Sequence, residues 1–450
     1  MGIEVYATRT PGIGGVIRRF SEDFIVEEVL VDGAKADVLP NAETQTEKGN
    51  PFSTYRYLLC VLVKRGWDTF QAVKAIARQL GISEKRISIA GIKDANAVTA
   101  QHITIERATA EDVQKIRVKD LEVRPLRYFH VKLSPYHLLG NQFRITTRAI
   151  NYSETAIRKR ISNVIAEIQT VGGVPNFFGH QRFGTIRPIT HLVGKALVKG
   201  DFRKAALLFL AKPSPNEHPQ SRIAREELWK TQNFKKALEA FPKNLHYERL
   251  MLKHLAKKPE DFIGAFRRLP TKLRVLFPQA YQAYLFNKIL SRRVAQGLPL
   301  NKAEVGDYVI EVEPLGRPNA SKYKVVSEET ASEINRAMET GKMILALPLA
   351  GFKQALSQGV QGENEKAVLE EEGVSLKDFK IKKFPELSLK GELRAAISRV
   401  KEFSLHEISG DETTPRKNKV VMSFMLYRGS YATVVLREFM KPRNPIKAGF

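Results

Sequence analysis

The sequence predicts an α+β protein in which β-rich segments at both ends of the chain enclose a mostly helical middle. The first third alternates apolar strand patterns with helical patterns, the chain becomes mostly helical after Pro175, and strand patterns return at residues 420–427 and 431–436. A chain of 450 residues is long enough for about two or three domains. One discontinuous domain with a second domain inserted into it would explain this order, and separate domains are equally compatible with it.

The N-terminal segments carry local signals for strand, loop and helix. Residues 24–29 and 57–64 are apolar runs that predict two strands, and the polar residues 32–53 between them predict a mobile loop. Asp68 is a suitable N-cap for a helix that Gly81 would end. Helical spacing predicts a buried face for this helix, made of Phe70, Val73, Ile76, Ala77 and Leu80.

Further strands are predicted at residues 86–90, 98–105, 127–133 and 143–150, followed by a helix over residues 154–169. Asp94 lies on the connection between the first two of these strands. A rigid sheet can hold a loop side chain steady, so this position suits a functional group.

The middle of the chain predicts helices at residues 224–241, 247–256 and 278–296, the last with Pro278 in its first turn and Gly297 after its end. Residues 354–373 are polar and acidic and predict a loosely structured segment.

The composition favours nucleic acid as the partner. Lys and Arg number 73 against 48 Asp and Glu, which gives a formal net charge of +25, and a field of that sign attracts polyanions. A basic proteome in the source would also explain the charge.

No apolar run approaches the roughly 20 residues that cross a bilayer, and the N-terminal segment lacks a secretory pattern. We therefore expect a cytoplasmic protein that does not bind membranes.

Neither a metal nor a cofactor is expected from the sequence. Cys60 is the one cysteine, and the nine histidines include no pair at zinc-ligand spacing. Gly12-Ile13-Gly14-Gly15 precedes no helical pattern and lacks the third glycine of a dinucleotide-binding loop. Any chemistry would then depend on carboxylates, amides and aromatic side chains.

The segment from Gly91 to Gln101 reads Gly-Ile-Lys-Asp-Ala-Asn-Ala-Val-Thr-Ala-Gln. An Asp after a strand is most often a turn residue. This segment, however, resembles the signature G-x-K-D-x-x-A-x-T-x-Q of the TruD family of pseudouridine synthases and matches all six fixed positions. Six matches at fixed spacing are a far more specific signal than a three-residue motif.

Other segments resemble TruD elements in the family's order. Residues 22–28 are similar to E-D-F-x-V-x-E, with Arg18 in the place of a basic residue, and residues 140–143 are similar to G-N-x-F. Residues 174–184 match V-P-N-[YF]-F-G-x-Q-R-F-G, and residues 429–438 resemble G-S-[FY]-A-T followed by R-E. The middle region is longer than in compact bacterial members and resembles that of the archaeal and eukaryotic branch.

The resemblance implies a particular domain organisation. A pseudouridine synthase core, an α+β domain around a long mixed and mainly antiparallel sheet, would comprise residues 1–173 and 395–450. A mostly helical TRUD domain would be inserted over residues 174–394.

The resemblance also implies that the chain isomerises uridine in tRNA to pseudouridine, with uridine 13 as the family's usual target. Asp94 would act as the nucleophile after the base is flipped out of its stack. Arg18 would keep Asp94 ionised.

The resemblance further implies that Phe24, Asn141 and Tyr431 hold the flipped base, with Phe143 close by. Lys93 and Arg182 would contact the RNA or form a wall between the domains.

Structural roles explain the same residues without catalysis: a surface arginine at Arg18, strand cores at Phe24 and Phe143, a turn cap at Asn141, and cross-strand packing at Tyr431.

Two other functions stay open. One is a catalytically inactive structured-RNA-binding protein, and the other is an RNA base glycosidase or hydrolase. A monomer is favoured, although the sequence does not determine the oligomeric state.

Overall fold

A computed structural model describes residues 1–39 and 56–450. Within these ranges the chain divides into two compact units. The first, here called the sheet unit, consists of Arg9–Glu167 and Ser398–Gly449, and the second, here called the helical unit, consists of Met1–Thr8, Ile168–Ile397 and Phe450. Most of the loop predicted at residues 32–53 lies outside the described residues. The assignment of a catalytic core and a TRUD insertion to residues 1–173, 395–450 and 174–394 stays a prediction.

The described residues form fourteen β-strands. They are β1 (Phe24–Leu30), β2 (Tyr57–Arg65), β3 (Ile87–Ile89), β4 (Val98–Glu106), β5 (Leu121–Phe129), β6 (Leu138–Ile150), β7 (Val174–Pro175), β8 (Tyr308–Val312), β9 (Pro318–Val325), β10 (Met343–Leu349), β11 (Glu392–Ala395), β12 (Ile397–Ser398), β13 (Lys401–Gly410) and β14 (Asn418–Tyr427).

The same residues form thirteen α-helices. They are α1 (Thr69–Gln79), α2 (Ala110–Gln114), α3 (Glu154–Val171), α4 (Thr190–Val198), α5 (Phe202–Ala211), α6 (Pro219–Thr231), α7 (Phe234–Ala240), α8 (His246–Leu255), α9 (Phe262–Arg267), α10 (Thr271–Ala295), α11 (Ala331–Glu339), α12 (Gly359–Glu371) and α13 (Ala432–Met440). None of the helices within residues 1–39 and 56–450 is both long and apolar enough to span a membrane.

The sheet unit is built on one large sheet with the strand order β13-β14-β6-β1-β4-β2-β5, and β3 pairs with β4 beside this path. β1 and β4 run parallel, and the other pairs in this sheet are antiparallel. The structure thus confirms the predicted α+β class and the mixed, mainly antiparallel sheet. The β3–β4 connection carries residues 91–97, so Asp94 lies on a strand-to-strand loop, as predicted.

Helix α1 packs on this sheet through the apolar residues of β2 and β4. The Asp68 side chain accepts hydrogen bonds from the backbone N–H groups of Phe70 and Gln71, which confirms the predicted N-cap. Ala72, Val73 and Ile76 are buried, but Phe70 is 53% exposed and does not belong to the buried face. Phe70 lies in the first turn, at the edge of the apolar stripe, where the sheet does not cover it.

The helical unit combines helices with a smaller antiparallel sheet of order β11-β10-β8-β9, which the sequence patterns did not predict. Its long helix α10 begins at Thr271, so the prediction that Pro278 lies in a first turn is wrong. Proline inside a helix removes one backbone hydrogen bond and costs about 3 kcal/mol. Tertiary packing offsets that cost here, because Phe277, Pro278 and Tyr281 are buried. Gly194 of α4 is part of this packing, since a Cβ there would lie 2.0 Å from the Phe277 carbonyl oxygen.

Three other elements predicted from local patterns differ from the structure. Residues 431–436, predicted as a strand, form the start of helix α13, which follows Tyr431 as its N-cap. The run Thr433-Val434-Val435-Leu436 is rich in β-branched and apolar residues, so its composition is typical of a strand. In the structure these four residues belong to α13, and all four are buried. The strand expected at residues 127–133 begins earlier, as β5, and residues 224–241 form two helices, α6 and α7.

The acidic segment predicted to be loosely structured contains helix α12, and the reason is a buried polar network. Glu365 is fully buried and accepts hydrogen bonds from the Ser357 backbone N–H (2.7 Å), the Ser357 hydroxyl (2.8 Å) and the Gln361 amide (2.9 Å). Gln361 in turn accepts from Arg293, which forms two hydrogen bonds with Asp307. Burial raises the pKa of Glu365 to about 7.

Glu365 should make stability depend on pH. Its pKa is about 7 in the folded chain against an ordinary value of 4.5, so between these values the folded state binds more protons than the unfolded state. Stability therefore falls as the pH rises through this window, by up to about 3 kcal/mol. Glu365→Gln stays neutral throughout. Thermal unfolding should be measured from pH 5 to pH 8. The Tm of the variant minus the Tm of the wild type should increase as the pH rises. A difference that does not depend on pH would contradict the raised pKa of Glu365.

Candidate active site

Asp94 presents its carboxylate to solvent beside a largely buried arginine. Its side chain is 46% exposed, and its Oδ2 lies 2.8 Å from Nη2 of Arg18, whose side chain is 13% exposed. Seventy-six positions separate the two residues in the sequence. The predicted basic partner of Asp94 is therefore in direct contact with it, and the carboxylate remains accessible to a substrate.

Arg18 is held in place from three directions. Its backbone is left-handed, with φ 57°, a conformation that costs a non-glycine residue about 1 kcal/mol and clusters at functional sites. Its Nη1 donates to the Gly449 carbonyl (3.2 Å), and its guanidinium lies 4.0 Å from the centre of the Phe24 ring. Burial lowers the pKa of Arg18 below its ordinary value, while the charge of Asp94 opposes that shift.

Aromatic rings form the layer beneath Arg18. Phe24 is 1% exposed and Phe143 is 7% exposed. The two rings meet edge to face with centroids 6.2 Å apart, and Phe143 continues to Phe424 at 5.6 Å. Strand pairing explains the cluster, because Phe143 lies opposite Val26 on β1 and opposite Phe424 on β14.

Asn141 lies two residues before Phe143, on the same face of β6. It is opposite Glu28 of β1 and Leu426 of β14. Its Oδ1 is buried without a hydrogen-bond partner among the described residues. A buried amide oxygen of this kind costs free energy until something donates to it.

Lys93, beside Asp94 in the sequence, is turned into the protein. Its side chain is 7% exposed, and its Nζ lies 2.6 Å from Oε1 of the fully buried Glu28. Burial raises the pKa of Glu28, but Lys93 and His102 outweigh that effect, so the pKa lies below its ordinary value. The pair anchors the residue that precedes Asp94.

Lys64 anchors the backbone of Asp94 itself. The side chain is fully buried, and its Nζ donates to the carbonyls of Asp94 (2.7 Å), Trp67 (2.8 Å) and Lys93 (3.4 Å). Burial lowers the pKa of Lys64 to about 8, which the charge of Asp94 partly opposes.

Two neutral side chains complete the anchoring of the loop. The Thr69 hydroxyl accepts a hydrogen bond from the Lys93 backbone N–H (3.1 Å), and the Gln101 amide donates to the Gly91 carbonyl (3.1 Å). Gln101 belongs to β4 and Thr69 begins α1, so both ends of the loop are attached to regular elements.

Tyr431 and Arg182 are placed by other elements. Tyr431 is half-buried at the N-cap of α13, in the sheet unit. Arg182 belongs to the helical unit, where it donates to Gln279 (3.2 Å) and lies 5.8 Å from the Phe178 ring. The structure thus brings Asp94, Arg18, Phe24 and Phe143 together by direct contact.

The sequence reasoning missed Lys64 and Glu28, although both left a signal. Lys64 is a charged residue at the end of the apolar run of β2. Glu28 follows the alternation of Phe24, Val26 and Leu30, which places it on the buried face of β1. A charge on the apolar side of a strand needs a partner and is therefore worth examining.

No group of three His, Cys, Asp or Glu side chains within the described ranges is arranged to hold a metal ion. The polar groups in these contacts are the carboxylates of Asp94 and Glu28, three cations and neutral hydrogen-bonding groups. This set can present a nucleophilic carboxylate and stabilise its charge.

Comparisons with known proteins agree with the sequence resemblance. The model of the family described as tRNA pseudouridine synthase D (TruD) matches residues 1–439. A Methanosarcina mazei protein named "Probable tRNA pseudouridine synthase D" is 43% identical over 447 residues, covering 99% of this chain and 98% of that protein. A Thermococcus onnurineus protein of the same name is 38% identical over 436 residues, covering 97% of each.

The fold agrees as well. A crystal structure of a TruD protein from Methanosarcina mazei matches with a TM-score of 0.83 at 43% identity, covering 99% of this chain and 98% of that one. Sequence and fold match over nearly the full length, which confirms the resemblance found in the motifs. The chain belongs to the tRNA pseudouridine synthase D (TruD) family.

Proposed function

We propose that this chain is a tRNA pseudouridine synthase in which Asp94 is the nucleophile. The observation that carries the proposal is the half-exposed Asp94 carboxylate, 2.8 Å from a largely buried arginine, on a loop whose backbone is bonded to buried side chains. An accessible carboxylate paired with a cation suits covalent catalysis.

The proposed reaction converts uridine to pseudouridine without net redox change. The N1–C1′ bond breaks, the base turns, a C5–C1′ bond forms, and the proton at C5 is lost while N1 gains one. Asp94 would attack either C1′ of the ribose or C6 of the base and form a covalent intermediate, which is released when the new bond is complete. Arg18 would hold the carboxylate and stabilise its negative charge.

The base would have to leave its stack to reach Asp94, at a cost of about a few kcal/mol. We propose that Asn141 hydrogen-bonds to the flipped base and that Phe24, Phe143 and Tyr431 line the space around it. Because Arg18 covers the Phe24 ring, contact between that ring and a base would require the guanidinium to shift. Uridine 13 is the proposed target, and Lys93 and Arg182 are proposed as supporting residues of the RNA site.

Two other outcomes would assign a different function. An RNA base glycosidase would leave an abasic site, whereas a protein that only binds RNA would leave the substrate unchanged. The exposure of Asp94 and its pairing with Arg18 favour catalysis over binding alone.

Asp94→Asn should abolish turnover while leaving folding and tRNA affinity nearly unchanged. The amide has almost the same shape but is not a nucleophile, so the rate should fall by at least about 10⁴-fold. Pseudouridine mapping of tRNA after incubation measures the product, and thermal unfolding controls for folding. Turnover retained by this variant would remove Asp94 from its role, and an abasic product from the wild type would indicate a glycosidase.

Asn141→Ala should reduce kcat/KM without lowering the Tm. A hydrogen bond to the base is worth about 1–3 kcal/mol, which corresponds to a loss of roughly 5- to 150-fold. The Asn141 oxygen has no partner among the described residues, so its removal takes no hydrogen bond away from the folded chain. A lower Tm with unchanged kcat/KM would instead indicate a structural role.

Lys64→Met should lower kcat by roughly 10- to 100-fold, because the Asp94 loop loses its buried anchor and small displacements of reacting groups are costly. In the wild type, kcat should also fall as the pH rises through about 8, where the Lys64 ammonium loses a proton. Besides Asp94, the charges that act on Lys64 are those of Asp68 and Lys93.

Loss of stability through Lys64 would not explain a fall of kcat above pH 8. The pKa of Lys64 is lowered on folding, so between about 8 and 10.5 the unfolded chain binds more protons, and the contribution of this group to stability rises with pH. The variant should lack the decline near pH 8, which pH profiles of kcat would show. Lys85→Met, a change at an exposed lysine, is the matched control. A Lys64→Met profile identical to that of the wild type would contradict the proposal.

A further inference from the structure

A cavity of about 540 Å³ opens in the sheet unit, next to the chain segment that leads to Arg18. It is lined by residues 12–16, by three residues around the end of β6, and by residues from the end of α13 onward. Its volume lies within the range of roughly 300–1,000 Å³ that is usual for ligand sites. Its lining does not include Asp94, Arg18, Lys64 or Lys93.

The lining of this cavity is positively charged. Lys441, Arg443 and Lys447 contribute to it, and its lining residues include no Asp or Glu. Within residues 1–39 and 56–450, neither Arg443 nor Lys447 pairs with a carboxylate. Burial lowers the pKa of Lys441, and the charge of Glu438, 3.7 Å away, opposes that shift. At least two cations are therefore available to an anion.

Glycines build one wall of the cavity. A Cβ on Gly12 would lie 2.4 Å from the Met440 carbonyl oxygen, and one on Gly15 would lie 2.6 Å from the Arg148 carbonyl oxygen, so the loop packs closely on its neighbours. Gly14, by contrast, has φ +68° and open space in front of it. The glycine-rich run noted in the sequence thus serves close packing and leaves an open surface at its centre.

An aromatic ring and amides complement the cations. Tyr152 lines the cavity and is 41% exposed, and the Arg160 guanidinium lies 3.9 Å from the centre of its ring. Arg160 also donates to the Gly12 carbonyl (2.6 Å), which ties the glycine loop to α3. Asn151 and Asn444 supply neutral hydrogen-bonding groups. Cations interleaved with an aromatic ring and amides are typical of nucleic-acid contacts.

The cavity is connected to the active site through a few residues of backbone. Val16 lines the cavity, the Ile17 N–H donates to the Ala448 carbonyl (3.0 Å), and Arg18 contacts Asp94. A ligand held in the cavity would therefore lie against the same segment that positions Arg18.

We propose that this cavity binds a backbone phosphate of the RNA strand that carries the target uridine, with the attached nucleotide against Tyr152. The proposal rests on the proposed function, since it takes RNA as the substrate. Arg443 and Lys447 would contact the phosphate, and the site would hold the strand in register beside the nucleotide that reaches Asp94.

The test replaces the two exposed cations, as Arg443→Gln with Lys447→Gln, and compares tRNA binding and steady-state kinetics with the wild type. The Kd and the KM for unmodified tRNA should each rise about tenfold at 0.15 M salt. The slope of log Kd against log salt should fall by about 1.4–1.8, as expected for two lost phosphate contacts. Lys85→Gln with Lys115→Gln removes two exposed charges elsewhere in the sheet unit and should change the Kd by less than twofold.

The outcomes separate this proposal from the proposed function. If both double variants lose affinity equally, only the total charge matters and the subsite is overturned. If the cavity variant loses affinity for a polyglutamate peptide but not for tRNA, the cavity binds an acidic protein segment and the proposal is also overturned. If the wild type makes no pseudouridine but the cavity variant alone loses tRNA affinity, the subsite stands and the proposed enzyme activity fails.

Discussion

The fully buried ammonium of Lys64 is the constraint on which the geometry around Asp94 depends. A cation removed from water is costly unless polar groups replace its hydration, and here the carbonyls of Trp67, Lys93 and Asp94 do so. These carbonyls cannot move away without leaving the charge unsolvated. The backbone of Asp94 is thereby held from inside the sheet unit, while its side chain remains 46% exposed.

The two carboxylate pairs near this loop differ in environment, and the difference separates their roles. Glu28 and Lys93 are both buried, so this pair is part of the packing and would be costly to break. Asp94 faces solvent, and only its partner Arg18 is largely buried. The first pair can hold the loop, whereas the second leaves a negative charge exposed to solvent. Burial alone therefore separates an anchoring pair from a pair that fits the proposed nucleophile.

Positive charge acts at two levels in this chain. The net charge of +25 creates a general attraction for polyanions, which raises encounter rates and falls with salt. The cations around the cavity beside residues 12–16 are local, and local cations can determine where a strand lies rather than only whether it approaches. Composition indicates the class of partner, and in the proposed subsite the placement of individual side chains would set the register of the strand.

The sequence by itself determined the features that depend on neighbouring residues. Apolar and β-branched runs located β1, β2 and β4, the side chain of Asp68 marked the start of α1, and the strand patterns on either side of residues 91–97 placed Asp94 on a loop between strands. These signals are local because backbone periodicity and capping involve residues a few positions apart.

Only the tertiary structure decided the features that depend on which segments pack together. Thr433-Val434-Val435-Leu436 has strand composition but lies in a helix, and Pro278 lies inside α10 where buried neighbours offset its cost. The motif resemblance suggested Arg18 as the partner of Asp94, but only the fold shows the contact. For Lys64 the local pattern shows only a charge at the end of an apolar strand. Its partner, a backbone carbonyl 30 residues away, leaves no local pattern. Burial and long-range contact are properties of the packed chain, and these set the geometry of the site.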